Sequence, residues 1–203
     1  MAFAQNISND DVAALEAIHF EGEIEIVDSV EQLDRVCSIL SAQSIIGFDT
    51  ETRPSFKAGV SNKIALMQLS TASHCFLIRL NCIPLARPLI AILQNEQIKK
   101  VGADVKNDIS GLSKLRHFTP RGFIDLQSIV GEYGIEDKSL RKISGIVLGK
   151  KVSKAQRLSN WEAKQLTPQQ QMYAATDAWV CIKIYERLLS SPRLATNDNN
   201  IAQ

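Results

Sequence analysis

The stretch from Ser44 to Glu51, SIIGFDTE, governs how the rest of the chain is read. Ser44 to Asp49 is an apolar run of strand length that ends on Asp49-Thr50-Glu51. Side chains alternate faces along a strand, so Asp49 and Glu51 point one way and Thr50 the other. Neighbouring carboxylates repel and raise each other's pKa. An exposed strand tolerates this by solvation, but a strand led by Ile45-Ile46-Gly47-Phe48 reads as buried. A divalent metal is the natural compensation, because hard oxygen ligands on one face suit Mg²⁺ or Mn²⁺. An Asp-x-Glu alone is common in ordinary strands as well.

Ile64 to Leu69 (IALMQL) and Cys75 to Ile78 (CFLI) are two more apolar runs at short spacing. With the first run they predict an antiparallel meander. Upstream, Glu23 to Val27 (EIEIV) alternates in strand fashion. Ser29 opens a helix with Gln32 at the capping-box position, and Val30, Leu33, Val36 and Leu40 share a face. Downstream come a helix over Leu85 to Gln94, a strand over Lys100 to Ala103, a helix over Asn107 to Leu115 and a strand-like step at Phe123 to Leu126. The last helix is the plainest. Thr167 caps it, Pro168 suits its first position and Gln170 completes a Thr-x-x-Gln box. Strands followed by alternating strands and helices predict an α/β fold, a mixed sheet with helices on its faces.

The 203 residues are 45% apolar, enough for one domain with a real core and too many for a wholly disordered chain. Lys and Arg total 23 against 22 Asp and Glu, a net charge of +1 that excludes a strongly basic coat protein. No apolar run approaches the roughly 18–20 residues that span a bilayer. Met1 to Asp10 lacks the basic and apolar regions of a secretory signal. A cytoplasmic protein with no membrane contact is expected. Cys37, Cys75, Cys82 and Cys181 include no Cys-x-x-Cys pair, and read as small buried hydrophobes in a reducing compartment. His19, His74 and His117 are scattered and support no His-based metal site.

Charge is uneven along the chain. Met1 to Glu31 holds eight acidic residues and no Lys or Arg, whereas Lys138 to Arg157 holds seven basic residues and no acid. Phosphate binding uses such basic clusters, and a solvated surface is the alternative. Residues 1–27 are read as an acidic arm plus first strand, 28–190 as one domain, and 191–203 as a disordered tail.

Two further constellations bear chemistry. Tyr173 and Asp177 lie four apart on the last helix and share a face, with the small Ala174 and Ala175 beside them. In Val101 to Asp108 (VGADVKND) a strand passes through Gly102 into a helix. Either Asp104 or Asp108 then suits the helix start, and spacing does not choose between them.

Together these elements resemble the three motifs of the DEDD 3′–5′ exonucleases, a branch of the ribonuclease H-like fold. Asp49 and Glu51 match the first motif, VGADVKNDISGL (Val101 to Leu112) matches the second with its Asp at Asp108, and Tyr173 with Asp177 matches the third in its Tyr-x-x-x-Asp form. The subtype with His five positions before the Asp is disfavoured, since Met172 stands there. The resemblance runs from about Asp28 to Leu189. It is strongest to the exonuclease domain of the Werner syndrome helicase, through Ser159-Asn160-Trp161, Leu166-Thr167 and Tyr173 to Ala178.

The resemblance implies a 3′–5′ exonuclease with two divalent ions, Mg²⁺ or Mn²⁺. Asp49 would bridge both, Glu51 and Asp177 would hold the one carrying the attacking water, and Asp108 would hold the second. Tyr173 would orient that water. Thr52 and Asn107 would contact substrate, and Lys150, Lys151, Lys154 and Arg157 would steer phosphates. The implied partner is a nucleic acid with a 3′ end, DNA favoured over the RNA that ribonuclease D relatives trim, with a targeting protein as a further expected partner. A catalytically dead binding module is disfavoured because all four carboxylates are present. Trp179 is expected in the core, and Trp161, in a loop-like segment, is left open between stacking and packing.

Overall fold

The computed structural model describes residues 2–56, 59 and 62–194. Six strands form one sheet among these residues, in the order β1-β4-β3-β2-β5-β6. They are β1 (Glu23–Val27), β2 (Ile45–Thr52), β3 (Ile64–Ser70), β4 (His74–Arg79), β5 (Lys99–Gly102) and β6 (Phe123–Asp125). β2, β3 and β4 make the expected antiparallel meander, while β1, β5 and β6 join it in parallel.

Helices cover both faces. α2 (Leu33–Ser41), α3 (Arg87–Gln94) and α4 (Val105–Leu115) pack on one face with Ile46, Phe48, Met67, Leu69 and Phe76. α6 (Leu140–Leu148) and α7 (Pro168–Leu189) pack on the other with Val101, Leu66, Cys75 and Leu77. Short helices at α1 (Asn9–Ala14) and α5 (Leu126–Ile129) complete the set. The two faces follow from strand alternation, with Ile46 and Phe48 on the α2–α4 side and Gly47 on the α7 side.

Local chemistry sets the element ends. The Gln32 side chain accepts from the backbone N–H of Ser29 at 3.0 Å, and a 3-10 turn over Val30–Gln32 precedes α2. At α7, Gln170 accepts from Thr167 N–H at 2.9 Å while Thr167 accepts from Gln170 N–H at 3.2 Å, a reciprocal cap of the kind whose loss costs roughly 0.5–2 kcal/mol. Some expected bounds shift. α3 starts at Arg87, since Ala86 is its extended cap and Pro88 occupies the first turn. α4 starts two residues before Asn107, because Asp104 takes a left-handed conformation (φ 64°) that ends the strand passage.

The structure adds to the sequence reading at four places. Half of the basic segment is helix α6, with Ile143, Ser144, Gly145 and Val147 buried. The acidic arm does not stand apart: Lys150 pairs with Glu16, Lys151 Nζ donates to the Ala13 carbonyl, and Ala17 bridges Lys151 in parallel. Cys82 is exposed, unlike the other three cysteines. The expected tail lies outside the described residues from Ala195 onward. At its start Arg193 pairs with Glu132 at 2.9 Å and Leu194 N–H donates to the Glu132 carbonyl at 2.8 Å.

Candidate active site

The site forms where β2 outruns its neighbour. β5 pairs only with Ile45, Ile46 and Gly47, so Asp49 to Thr52 has a strand on one side, β3, and an open cleft on the other. The β2–β3 register also slips between Glu51 and Thr52, and such irregularities re-aim side chains beside functional sites. α7 crosses this part of the sheet on a bed of small residues. Ala174, Ala175 and Ala178 are fully buried, and a Cβ on Gly47 would lie 2.0 Å from the Ala178 carbonyl oxygen. That approach brings Asp177 down to the sheet.

As a result Asp49, Glu51 and Asp177 each offer a carboxylate oxygen within 4.8 Å of the others. Asp108 stands outside this trio, in the first turn of α4 on the far side of β2. The Thr50 hydroxyl donates to it at 2.5 Å, so the residue that alternation turns away from Asp49 and Glu51 anchors the fourth carboxylate. Asp104 is exposed, and the Asn107 amide nitrogen donates to both of its carboxylate oxygens, at 2.8 and 2.9 Å. Tertiary contact thus separates two aspartates that local spacing leaves equivalent. The Tyr173 hydroxyl hydrogen-bonds to Asp177, and its ring centroid lies 6.0 Å from that of Trp161.

Two cavities flank the cluster. One, of about 580 Å³, is lined by Thr50, Thr52, Asn107, Asp108, Lys63 and Lys114. The other, of about 390 Å³, is more apolar and includes Tyr173, Asp177, Met172 and Ile18. Thr52 and Asn107 both lie on the first, although the Asn107 amide is tied to Asp104. Lys154 and Arg157 are exposed, whereas Lys150 and Lys151 are occupied by the arm. Trp161 is fully buried, so it packs and does not stack on a ligand. Trp179 is largely buried against Phe20 at 5.8 Å, as expected. Gln68 and Arg79 escaped the sequence reading. Arg79 is buried and donates to the carbonyls of Ala163 and Lys164, pinning the loop that feeds α7.

The electrostatics are those of an uncompensated cluster. Burial, then Glu51, Asp108 and Asp177, push the Asp49 carboxyl well above the usual range. Burial and then Asp177 and Asp108 raise Glu51 to about 9. Burial raises Asp108 to about 7 against its Thr50 hydrogen bond, and raises Asp177 to about 7 against its Tyr173 hydrogen bond. Among the described residues no lysine or arginine lowers any of the four. All-oxygen donors, converging and lacking a counter-charge, fit divalent cations of the Mg²⁺ or Mn²⁺ kind.

A pH dependence follows for the metal-free protein. These carboxyls titrate near 4 when unfolded and higher when folded, so the folded state binds the extra protons. The stability they contribute is present below pH ~4. It is lost as pH rises through about 7 for Asp108 and Asp177 and about 9 for Glu51. In chelator, the thermal midpoint should fall between pH 5 and pH 9. Added Mn²⁺ should raise it more at pH 9 than at pH 5. A chelated protein whose midpoint rises over that range would contradict this account.

The mixed six-stranded sheet has the ribonuclease H-like fold, with Asp49, Glu51 and Asp177 converging beside β2 and Asp108 held by Thr50 on its other face. Comparison with known families agrees: residues 24–191 match the model DNA_pol_A_exo1, described as 3′–5′ exonuclease. The chain belongs to this 3′–5′ exonuclease family. It is 34% identical over 187 residues to the mouse bifunctional 3′–5′ exonuclease/ATP-dependent helicase WRN, a match covering 84% of this chain and 13% of that protein. It is 32% identical over 177 residues to the Drosophila melanogaster exonuclease 3′–5′ domain-containing protein 2, covering 81% of this chain and 30% of that one. The chain therefore spans less than a third of these relatives' lengths. Among solved structures, the Aedes aegypti Nibbler EXO domain superposes with a TM-score of 0.77 at 25% identity, covering 86% of this chain and 92% of that one. Escherichia coli RNase D shares the fold, with a TM-score of 0.75 at 24% identity, covering 83% of this chain and 44% of that one.

Proposed function

We propose that this chain is a metal-dependent 3′–5′ exonuclease that releases 5′-mononucleotides stepwise from a nucleic-acid 3′ end, with DNA preferred. The convergence of Asp49, Glu51 and Asp177 from two distant elements to within 4.8 Å carries the reading. Asp49, Glu51 and Asp177 would hold one divalent ion, and Asp49 with Asp108 a second. When bound, two such ions lower the pKa of an attacking water and stabilise the leaving 3′ oxygen. Thr50 fixes Asp108 for that task.

Burial, then Asp177 and Glu51, raise the Tyr173 phenol far above its ordinary value, so it keeps its proton at neutral pH. Tyr173 therefore orients the attacking water and does not act as its base. Tyr173→Phe should lower kcat by roughly 10²-fold with KM little changed, read from single-nucleotide release rates. Thr52 and Asn107 lie beside Asp108, where the terminal nucleotide would sit. Lys154 and Arg157 would steer phosphates with a salt-dependent contribution.

Support for the DNA reading comes from the mouse relative, whose name joins a 3′–5′ exonuclease to an ATP-dependent helicase. The fold shared with RNase D keeps 3′–5′ trimming of RNA as the second reading. With a net charge of +1, a partner protein would supply substrate targeting. A cytoplasmic placement goes with thiols used as small buried groups at Cys37, Cys75 and Cys181.

The test is degradation of 5′-labelled 3′-recessed DNA and single-stranded RNA in Mg²⁺, Mn²⁺ or chelator. A metal-dependent ladder that shortens from the 3′ end, faster on DNA, is expected. Cutting of circular DNA, or no degradation by folded protein with bound metal, would refute the reading.

A further inference from the structure

Gln68 is the anomaly of the sheet. It lies in the middle of β3, is fully buried, and neither the nitrogen nor the oxygen of its side-chain amide has a hydrogen-bond partner. An unsatisfied buried amide is costly, and buried polar atoms in native proteins are overwhelmingly paired. The surroundings give no structural reason for the amide. The neighbouring side chains on this face are Leu66 and Ser70 along β3 and Leu77 across β4, with the alanines of α7 above. Ser70 is satisfied by the Thr71 carbonyl at 2.9 Å. A methionine or leucine would fill the position without leaving polar atoms bare.

The register places Gln68 directly opposite Asp49. Residues opposite each other in an antiparallel pair share a face, with Cβ atoms roughly 4.5–5.5 Å apart, within reach of a three-carbon side chain ending in a rotatable amide. Asp49, for its part, has one hydrogen-bond donor that favours its charged form, the Thr50 backbone N–H. A carboxylate that holds cations has further lone pairs, and those of metal ligands are ordinarily hydrogen-bonded by neighbours that set their orientation.

We propose that Gln68 is a positioning residue for Asp49: in the metal-loaded protein its amide nitrogen donates to the Asp49 carboxylate and fixes the angle at which that group holds the ions. The assignment rests on the exonuclease reading of the site, because it takes Asp49 as a metal ligand. Gln68 touches neither substrate nor water in this role. It acts from the sheet beneath, on the side of Asp49 away from Glu51's neighbour Thr52 and the open cleft.

The experiment uses the full chain with Mn²⁺ as probe and Gln68→Met, which keeps length and volume but removes both polar atoms. Gln68→Leu serves as a second variant. Metal-free thermal midpoints should equal or exceed that of the unaltered protein, because an orphaned polar group has gone. Mn²⁺ affinity, read by electron paramagnetic resonance of the free ion and by midpoint shift, should fall roughly 10- to 100-fold. For strand degradation kcat should fall while KM for the nucleic acid stays put. Mn²⁺ affinity equal to that of the unaltered protein in either folded variant would overturn the assignment. So would a marked fall in the metal-free midpoint of both, which would show the amide to be a structural partner. The two readings fail separately: unaltered protein that binds Mn²⁺ yet degrades no strand refutes the exonuclease, while the Gln68 assignment is still decided by the variants' affinity.

Discussion

Asp49→Asn is expected to abolish strand degradation and, in the same protein, to raise the thermal midpoint of the metal-free fold. Asp49 sits at the centre of the cluster, its carboxyl held well above the usual range by burial and then by Glu51, Asp108 and Asp177. Forming its anion there without a cation is costly, and asparagine keeps the shape while removing that demand. In chelator the variant's advantage should be largest near pH 9. It should shrink toward pH 5, where the unaltered carboxyl also stays protonated. Activity should move the other way, falling by at least about 10³-fold, because a ligand that acts as part of a unit is not replaced by the remaining members. Asp104→Asn is the control: the residue is exposed, asparagine also tolerates its left-handed conformation, and stability should stay within about 0.5 kcal/mol. An Asp49→Asn protein that is less stable without metal, or that retains activity within tenfold, would refute this picture of the site.

Much of this arrangement is legible in the chain because local rules agree with the fold. The run Ile45-Ile46-Gly47-Phe48 needs burial on two faces, and alternation alone puts Asp49 and Glu51 on one side and Thr50 on the other. The Thr167-Pro168-Gln170 cap marks the start of α7, and the periodicity of four along it places Tyr173 with Asp177. What is not legible depends on contacts between distant segments. Asp104 and Asp108 have equal local claims, and only Thr50, 58 positions away, tells them apart. Trp161 lies in an irregular stretch, yet Arg79 pins the following residues and folds the indole inward. α6 is obscured by charge: Ser139 caps it and Ile143 and Val147 repeat at helical spacing, but Arg141 and Lys142 belong to a basic run that equally fits phosphate binding. Gln68 is itself legible as a lone amide inside the apolar run IALMQL.

Gly47→Ala should damage both fold and activity, although glycine here has an ordinary backbone and alanine is a one-carbon change. The position faces α7, and the added Cβ would stand 2.0 Å from the carbonyl oxygen of Ala178 and 2.6 Å from its carbonyl carbon. Both are helix backbone atoms, so no side chain can rotate away. α7 must instead lift by about 1 Å or the strand must bend, and overpacking of this kind costs typically ~1–3 kcal/mol. The displacement falls on the chemistry, because Asp49 is the next residue on the same face of β2 and Asp177 immediately precedes Ala178. Widening that gap by about 1 Å should reduce kcat by roughly 10²-fold. Gly111→Ala supplies the contrast. Its added Cβ would also come close, at 2.6 Å, but to the Cδ1 end of the flexible Ile64 side chain. Within α4 the change also gains helix propensity of up to about 1 kcal/mol. Its thermal midpoint should therefore stay near that of the unaltered protein while that of Gly47→Ala drops by several degrees. Equal midpoints for the two variants would mean that α7 is not held against β2 by the missing side chain of Gly47, and that the closeness of Asp49 to Asp177 has another cause.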